Sequence, residues 1–179
     1  MNIKDKDIIQ AIREKTEKGF RLLMLKYKQP IYWHIRRLVI WHDEAEDATQ
    51  ETFIRVFKSF DNFKNDDSFR AWIYRIATNE ALRQIDSRKT EQVPLEVDAD
   101  EANHMMADSY IDYSNLEAVK LQKAIHSLPI KQQTTFCLRY YDELSYDEIA
   151  AATNSTASSA KANYHIAKEK IVSYMKSND

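Results

Sequence analysis

Residues 145–175 read SYDEIAAATNSTASSAKANYHIAKEKIVSYM, and this stretch decides the fold class. Ser145 precedes Glu148 by three residues, so its hydroxyl can accept from the Glu148 amide while the Glu148 carboxylate reaches back to the Ser145 amide. That pairing is a capping box, and it starts a helix. The run YDEIAAAT that follows is short. Asn154, Ser155 and Thr156 interrupt it, and Asn tolerates the left-handed backbone that a tight turn between helices demands where Gly is absent. Beyond the turn, Ala160, Tyr164, Ala167, Ile171 and Tyr174 recur at i, i+4, i+7, i+11 and i+14, one buried stripe on a helix from about Ala157 to Met175. Short helix, tight turn and longer helix make helix-turn-helix geometry. The exposed positions at the start of the second helix are Ser158, Ser159, Lys161, Ala162 and His165. All are small or hydrogen-bonding, as entry into a DNA major groove requires, although an ordinary helical hairpin fits the same spacing.

The rest of the chain agrees with an all-α architecture. Its 179 residues include 1 Gly and 3 Pro, too few for the turns and phosphate-cradling loops of a β-rich or dinucleotide-binding fold. A single Cys excludes an internal disulfide and a multi-thiolate zinc site. The opening MNIKDKDIIQ is charged where a signal peptide would be apolar, and no apolar run is long enough to span a bilayer. A soluble cytoplasmic protein without membrane insertion is expected. The net charge of −2 hides segregation along the chain: residues 1–90 carry 18 Lys and Arg against 14 Asp and Glu, residues 91–116 none against 7, and the last 63 residues 8 against 7. The stretch 91–115, EQVPLEVDADEANHMMADSYIDYSN, has little amphipathic period and reads as an acidic flexible linker. It divides the chain into two small helical domains, 1–90 and 116–179, the second containing the helix-turn-helix.

In the first domain, Phe53, Val56, Phe57 and Phe60 at i, i+3, i+4 and i+7 predict an inward stripe on a helix from about Asp43 to Phe60, with Asp43 as its N-cap. Pro30 is expected to kink or divide the helix running from Phe20 to about Val39. Ser68 can cap a further helix with an inward stripe of Phe69, Trp72, Ile73 and Ile76, and that helix carries Arg75, Asn79 and Arg83 at i, i+4 and i+8. Beside the aromatics of SFDNFKNDDSFRAW, this face can stack bases and hold phosphates, while a packed aromatic core next to a solvated arginine face accounts for the same residues. In the second domain, Leu121, Ala124, Ile125 and Leu128 form a short helix ended by Pro129. IKQQTTFCLRYYDEL forms another, with Cys137 as a small core residue. His34, His42, Asp43, Glu46 and Asp47 lack a metal-ligand spacing, so no metal is expected, and His104 and His126 suggest nothing.

With these residues in view, DEAEDATQETFIRVFKSFDNFKNDDSFRAWIYRIATNEALRQIDSRK resembles region 2 of bacterial RNA polymerase sigma factors of the extracytoplasmic-function group, and LPIKQQTTFCLRYYDELSYDEIAAATNSTASSAKANYHIAKEKI resembles their region 4. The resemblance implies a transcription initiation factor that binds core RNA polymerase and promoter DNA, with no catalysis and no cofactor. It also implies an inhibitory anti-sigma partner and a monomer when free. Position by position, Asp47, Gln50 and Glu51 match the family's motif for docking on polymerase. The segment from Phe60 through Asn62 and Phe63 to Phe69 matches the loop that captures a base flipped from the minus-10 element. Trp72, Tyr74, Arg75, Asn79 and Arg83 match the neighbouring melting surface, and Arg88 and Lys89 phosphate contacts. Ser158, Ser159, Lys161, Ala162 and His165 fall on the minus-35 reader. Asn154 departs from the family's turn Gly, and Asn163 and Ile166 stand where basic residues are common, which implies weak, salt-dependent minus-35 binding by this domain alone. The competing reading is a conventional dimeric helix-turn-helix regulator that binds a palindrome without polymerase.

Overall fold

A computed structural model describes residues 2–15, 17–64, 68–90 and 114–177, and every regular element among them is helical. Helix α1 (Asp5–Arg13) buries Ile8 and Ala11 against α2 (Glu17–Leu38). The lone glycine makes that approach possible: a Cβ added to Gly19 would lie 2.5 Å from the Ile12 backbone nitrogen and 2.7 Å from the Ala11 carbonyl carbon. Asp5 completes the junction by accepting from Lys26 Nζ at 2.7 Å and from the Tyr27 hydroxyl at 2.8 Å.

Of the two outcomes expected at Pro30, a kink or a division, the division does not occur: α2 runs on through it. Pro30 is exposed, so the carbonyl four residues back can turn to water, while Tyr27, Ile31, His34 and Ile35 hold the opposite side in the core. Two further expectations are corrected in α3 (His42–Lys58). Its N-cap residue is Trp41 rather than Asp43, which sits with Glu44 in the first turn, where carboxylates favour the helix dipole. Phe57 leaves the inward stripe and is 58% exposed, touched edge-on by the ring of Phe20 at 5.7 Å. Phe53, Val56 and Phe60 remain buried. After a 3-10 turn at Phe60–Asn62, α4 (Phe69–Thr90) starts as expected, with Ser68 Oγ accepting from the Ala71 amide at 3.1 Å.

In the second half, Asn115 caps α5 (Leu116–His126) by accepting from the Glu117 and Ala118 amides, and Pro129 precedes α6 (Ile130–Tyr140). Cys137 is fully buried there, which pushes its thiol up to about 12. Helix α7 (Tyr146–Thr153) opens on the capping box: the Glu148 amide donates to Ser145 Oγ at 3.1 Å and the Ser145 amide to Glu148 Oε1 at 3.2 Å. Asn154 is left-handed, at φ 52 and ψ 50, and α8 (Ala157–Ser177) follows with Ala160, Ala167 and Ile171 buried. Phe136 lies stacked between Tyr140 and Tyr164, with centroids 5.1 and 5.8 Å away.

The two halves pack together, α7 on α4 and α6 on α2. Arg70 grips Glu148 with both arms, Nε to Oε2 at 2.9 Å and an Nη to Oε1 at 2.6 Å, and Ser68 Oγ adds a bond of 3.1 Å. Asp142, beyond the end of α6, accepts from the Tyr74 hydroxyl at 3.2 Å and lies 3.7 Å from Arg37 and 3.2 Å from His34 Nδ1, the last not aligned as a hydrogen bond. The Arg37 guanidinium also covers the Tyr141 ring at 4.2 Å. Of the linker expected at 91–115, residues 91–113 lie outside the described residues.

Candidate polymerase and nucleic-acid interfaces

Helix α3 exposes Asp47 and Gln50 to solvent and Glu51 in part. The same face continues with Ile54, 44% exposed, and Phe57. Exposed apolar side chains beside carboxylates make a surface suited to a partner offering cations and aliphatic stems. The sequence pattern had assigned Phe57 to the core and gave Ile54 no role. What reveals them is the tertiary arrangement, since among the described residues that side of α3 meets only the edge of Phe20 and leaves both side chains exposed.

From this face an ion chain runs inward. Glu51 pairs with Arg55 Nε at 3.1 Å, Arg55 Nε with Glu80 Oε1 at 2.6 Å, and Glu80 Oε1 with an Arg83 Nη at 3.1 Å. The chain follows one wall of an open cavity of about 340 Å³ between α3 and α4, lined by Arg55, Lys58, Ser59, Asn62, Ile76, Asn79, Glu80 and Arg83. Three residues singled out in the sequence, Asn62, Asn79 and Arg83, therefore meet in one place. Arg55, Lys58, Ser59, Ile76 and Glu80 were missed. Their signal was faint but present: Arg55 lies at i+4 from Glu51, and Glu80 lies beside Asn79 and at i−3 from Arg83.

The aromatics behave otherwise. Phe60, Phe63 and Phe69 are 8%, 7% and 4% exposed. With half-buried Trp72 they form one cluster with centroid separations of 5.2 to 6.4 Å, so the phenylalanines brace the loop from beneath and offer no ring face to a base in this arrangement. Tyr74 points into the junction of the two halves, where burial, ahead of the neighbouring Asp142 charge, pushes its phenol well above the ordinary tyrosine range. Arg75 is exposed, on the solvent side of α4. Arg88 pairs with Glu44 and covers the Trp41 ring at 4.9 Å, which commits it to closing α4 on α3, whereas Lys89 is exposed.

On α8, Ser158, Ser159, Lys161, Ala162 and His165 are all exposed on the first turns of the second helix of the helix-turn-helix. Thr156 Oγ1 accepts from the Ser159 amide at 3.1 Å and fixes where that helix begins. Ile166 is 41% exposed on the same helix, so an apolar group stands on its open surface. At the start of α3, ligand atoms of His42, Asp43 and Glu46 fall within 4.8 Å of one another. The His42 ring is engaged at both nitrogens, by the Tyr32 hydroxyl at 2.6 Å and by Glu46 at 3.3 Å. His126, given no partner on sequence grounds, contacts Gln122 at 2.7 Å and Gln133 at 3.2 Å.

Comparison with known proteins accords with this arrangement. The sigma-70 region 2 family matches residues 23–91, and the sigma-70 region 4 family matches residues 118–171. The RNA polymerase sigma-H factor of Pseudomonas aeruginosa is 29% identical over 176 residues, covering 93% of this chain and 91% of the relative. The ECF RNA polymerase sigma-E factor of Escherichia coli K12 is also 29% identical over 176 residues, covering 93% and 92%. Among solved structures, the sigma factor RpoE of Bartonella quintana, in complex with the anti-sigma factor NepR, has a TM-score of 0.71 at 22% identity, over 90% of this chain and 99% of that one. CnrH, in complex with the cytosolic domain of CnrY, has a TM-score of 0.73 at 16% identity, over 98% and 99%. With both regions present in order on one all-helical chain, the protein belongs to the sigma-70 family, in its extracytoplasmic-function group, and directs core RNA polymerase to promoters.

Proposed function

We propose that the exposed α3 face of Asp47, Gln50 and Glu51, extended by Ile54 and Phe57, docks on core polymerase. The cavity between α3 and α4 holds one base turned out of the melted minus-10 strand, and the open start of α8 reads minus-35 DNA. The observation that carries this reading is the cavity itself. It brings Asn62, Asn79 and Arg83 together with Arg55 and Lys58, beside the acidic face. Donors ring a space suited to one base, Ile76 supplies an apolar wall, and the docking residues stand on the adjoining face of the same helix, joined to the cavity by the Glu51–Arg55 pair. Unstacking a base costs a few kcal/mol, which such a pocket can return through edge hydrogen bonds and packing.

Phosphate contacts come from exposed Arg75 and Lys89 rather than from Arg88, which is already paired. The packed halves must part if Tyr74 is to join the melting surface, because its hydroxyl is bound to Asp142 across the junction. The chain acts by binding and performs no chemistry, and the site of that action is the cytoplasm. No described helix is long and apolar enough to cross a membrane. The exposed apolar part of the docking face also suits an anti-sigma helix that would cover it.

The test is transcription by purified core polymerase on a genomic fragment library, with and without the chain. New discrete start sites that depend on the chain are expected, sharing two upstream elements. Absence of new starts together with failure to co-elute with the host polymerase would overturn the proposed docking face.

A further inference from the structure

Among the residues lining the cavity between α3 and α4, Glu80 is out of place. Of the described residues, Arg55, Lys58 and Arg83 donate only, Ser59, Asn62 and Asn79 donate or accept, and Glu80 alone is a carboxylate. Facing a polyanion, a carboxylate is unfavourable unless it is neutralised and has a task. Here it is neutralised: its side chain is 7% exposed, and Arg55 at 2.6 Å and Arg83 at 3.1 Å both contact Oε1. Among the described residues, both ion pairs fall on Oε1 and none on Oε2. The protein thus holds an acceptor rigidly at the cavity wall and leaves one oxygen for whatever enters.

We propose that Glu80 is a specificity-determining residue, its carboxylate accepting from the exocyclic amino group of the base in this cavity and so selecting adenine, cytosine or guanine over thymine at that position. The inference rests on the reading of the cavity as a base site. Every base presents ring-nitrogen or carbonyl acceptors that the surrounding cations and amides can satisfy, so those donors discriminate little. An amino group needs an acceptor, and carboxylates pair with base amino groups in this way. Thymine has no amino group. Its one ring N–H lies between two carbonyl oxygens, which meet the carboxylate with like partial charge. A cavity of about 340 Å³ lies at the small end of ligand sites and has room for a base.

The experiment is initiation by core polymerase and the full chain on a promoter library randomised across the melted element, read by sequencing the transcribed templates. Wild type should deplete thymine about tenfold at one non-template position, and Glu80→Gln, whose amide can donate to a thymine carbonyl, should bring that depletion to within about twofold of parity. Glu80→Asp keeps the acceptor and should keep the depletion, whereas Arg83→Gln should lower output on all templates alike. Binding of single-stranded decamers differing at that one base, measured by fluorescence anisotropy with each holoenzyme, gives the same comparison without transcription. Chain-dependent starts with no thymine-poor position, or a depletion unchanged in Glu80→Gln, would overturn the role of Glu80 and leave the base site standing. A lack of any chain-dependent starts would instead sink the reading of the cavity.

Discussion

Arg70 is the side chain whose loss should loosen the packing of the two halves most directly. Its guanidinium, ahead of the Ser145 amide and the Ser68 hydroxyl, holds the Glu148 carboxyl at about 2 against an ordinary 4.5. Taken at face value, a shift of that size corresponds to roughly 3 kcal/mol. That figure is an upper bound for the junction. The Ser145 bond belongs to the helix cap and survives separation, and both partners are partly solvated, with side-chain exposures of 37% for Arg70 and 20% for Glu148. Discounting for both leaves about 1–2 kcal/mol, a factor of roughly 5 to 30 in the ratio of packed to separated halves.

Arg70→Ala removes this contribution and leaves the capping box intact. Arg70→Lys keeps the charge and loses the fork, so it should fall between the two. Förster transfer between labels on Glu14→Cys and Lys168→Cys reads the separation, and both positions are exposed. Native Cys137 is buried with its thiol at about 12, so it stays unlabelled. Because the folded carboxyl sits below its ordinary value, the stabilisation is full above about pH 4.5 and disappears as pH falls toward 2. Wild type should therefore lose transfer across that window, and Arg70→Ala should begin from a lower plateau at neutral pH. Identical transfer in Arg70→Ala and wild type at pH 7 would rule out this role for Arg70 and leave the junction to its remaining contacts, those of Asp142 and of Arg37 on Tyr141 among them.

Five further variants have expected outcomes. Gly19→Ala forces a methyl against the Ile12 backbone at 2.5 Å, and since backbone cannot swing aside, thermal unfolding should show a loss of about 1–3 kcal/mol. Ser145→Ala removes one partner of the capping box and should cost about 1 kcal/mol in denaturant unfolding, while Asn154→Gly, at a φ of 52, should be neutral or slightly stabilising. Glu51→Lys should abolish co-elution with core polymerase without lowering the melting temperature, because Arg55 retains Glu80. Lys161→Ala should weaken minus-35 binding uniformly across sequences and reduce the salt slope by about 1, measured as affinity against salt concentration.

How far the sequence could be read depended on whether a feature was local. The capping box at Ser145, the left-handed Asn154 and the cap at Ser68 are interactions within three or four residues, and each stands where spacing put it. Pro30 and Phe57 went the other way because their outcome is set by what lies across from them: a buried face that holds α2 together, and an uncovered side of α3. The aromatics around residue 60 satisfied two readings at once, and only packing could choose between them, placing the three phenylalanines inside. Likewise Glu80 is invisible as a cavity residue until α3 brings Arg55 to it. Its neighbours in sequence mark it as one more charge on a helix.

The distribution of ion pairs bears on why such a factor works as part of an assembly. On the side of the first domain that faces DNA in the proposed reading, Arg55 and Arg83 are held by Glu80 and Arg88 by Glu44. Lys58, Arg75 and Lys89 carry no ion pair among the described residues. Each cation that neutralises a phosphate adds to affinity through counterion release, and a cation already paired to a carboxylate releases less. The domain therefore commits much of its positive charge to its own architecture. On α8 the exposed reading positions hold a single permanent cation, Lys161, with Ile166 open beside them. With so few unpaired cations at these positions, duplex binding by either half alone should be weak and salt-dependent. In the proposed reading the two halves supply shape at separated points, a cavity for one base and a helix start for one groove, and these yield specificity only when another body holds the DNA and opens it. In that reading the acidic α3 face, which adjoins the cavity wall through the Glu51–Arg55 pair, is where the protein provides for that body.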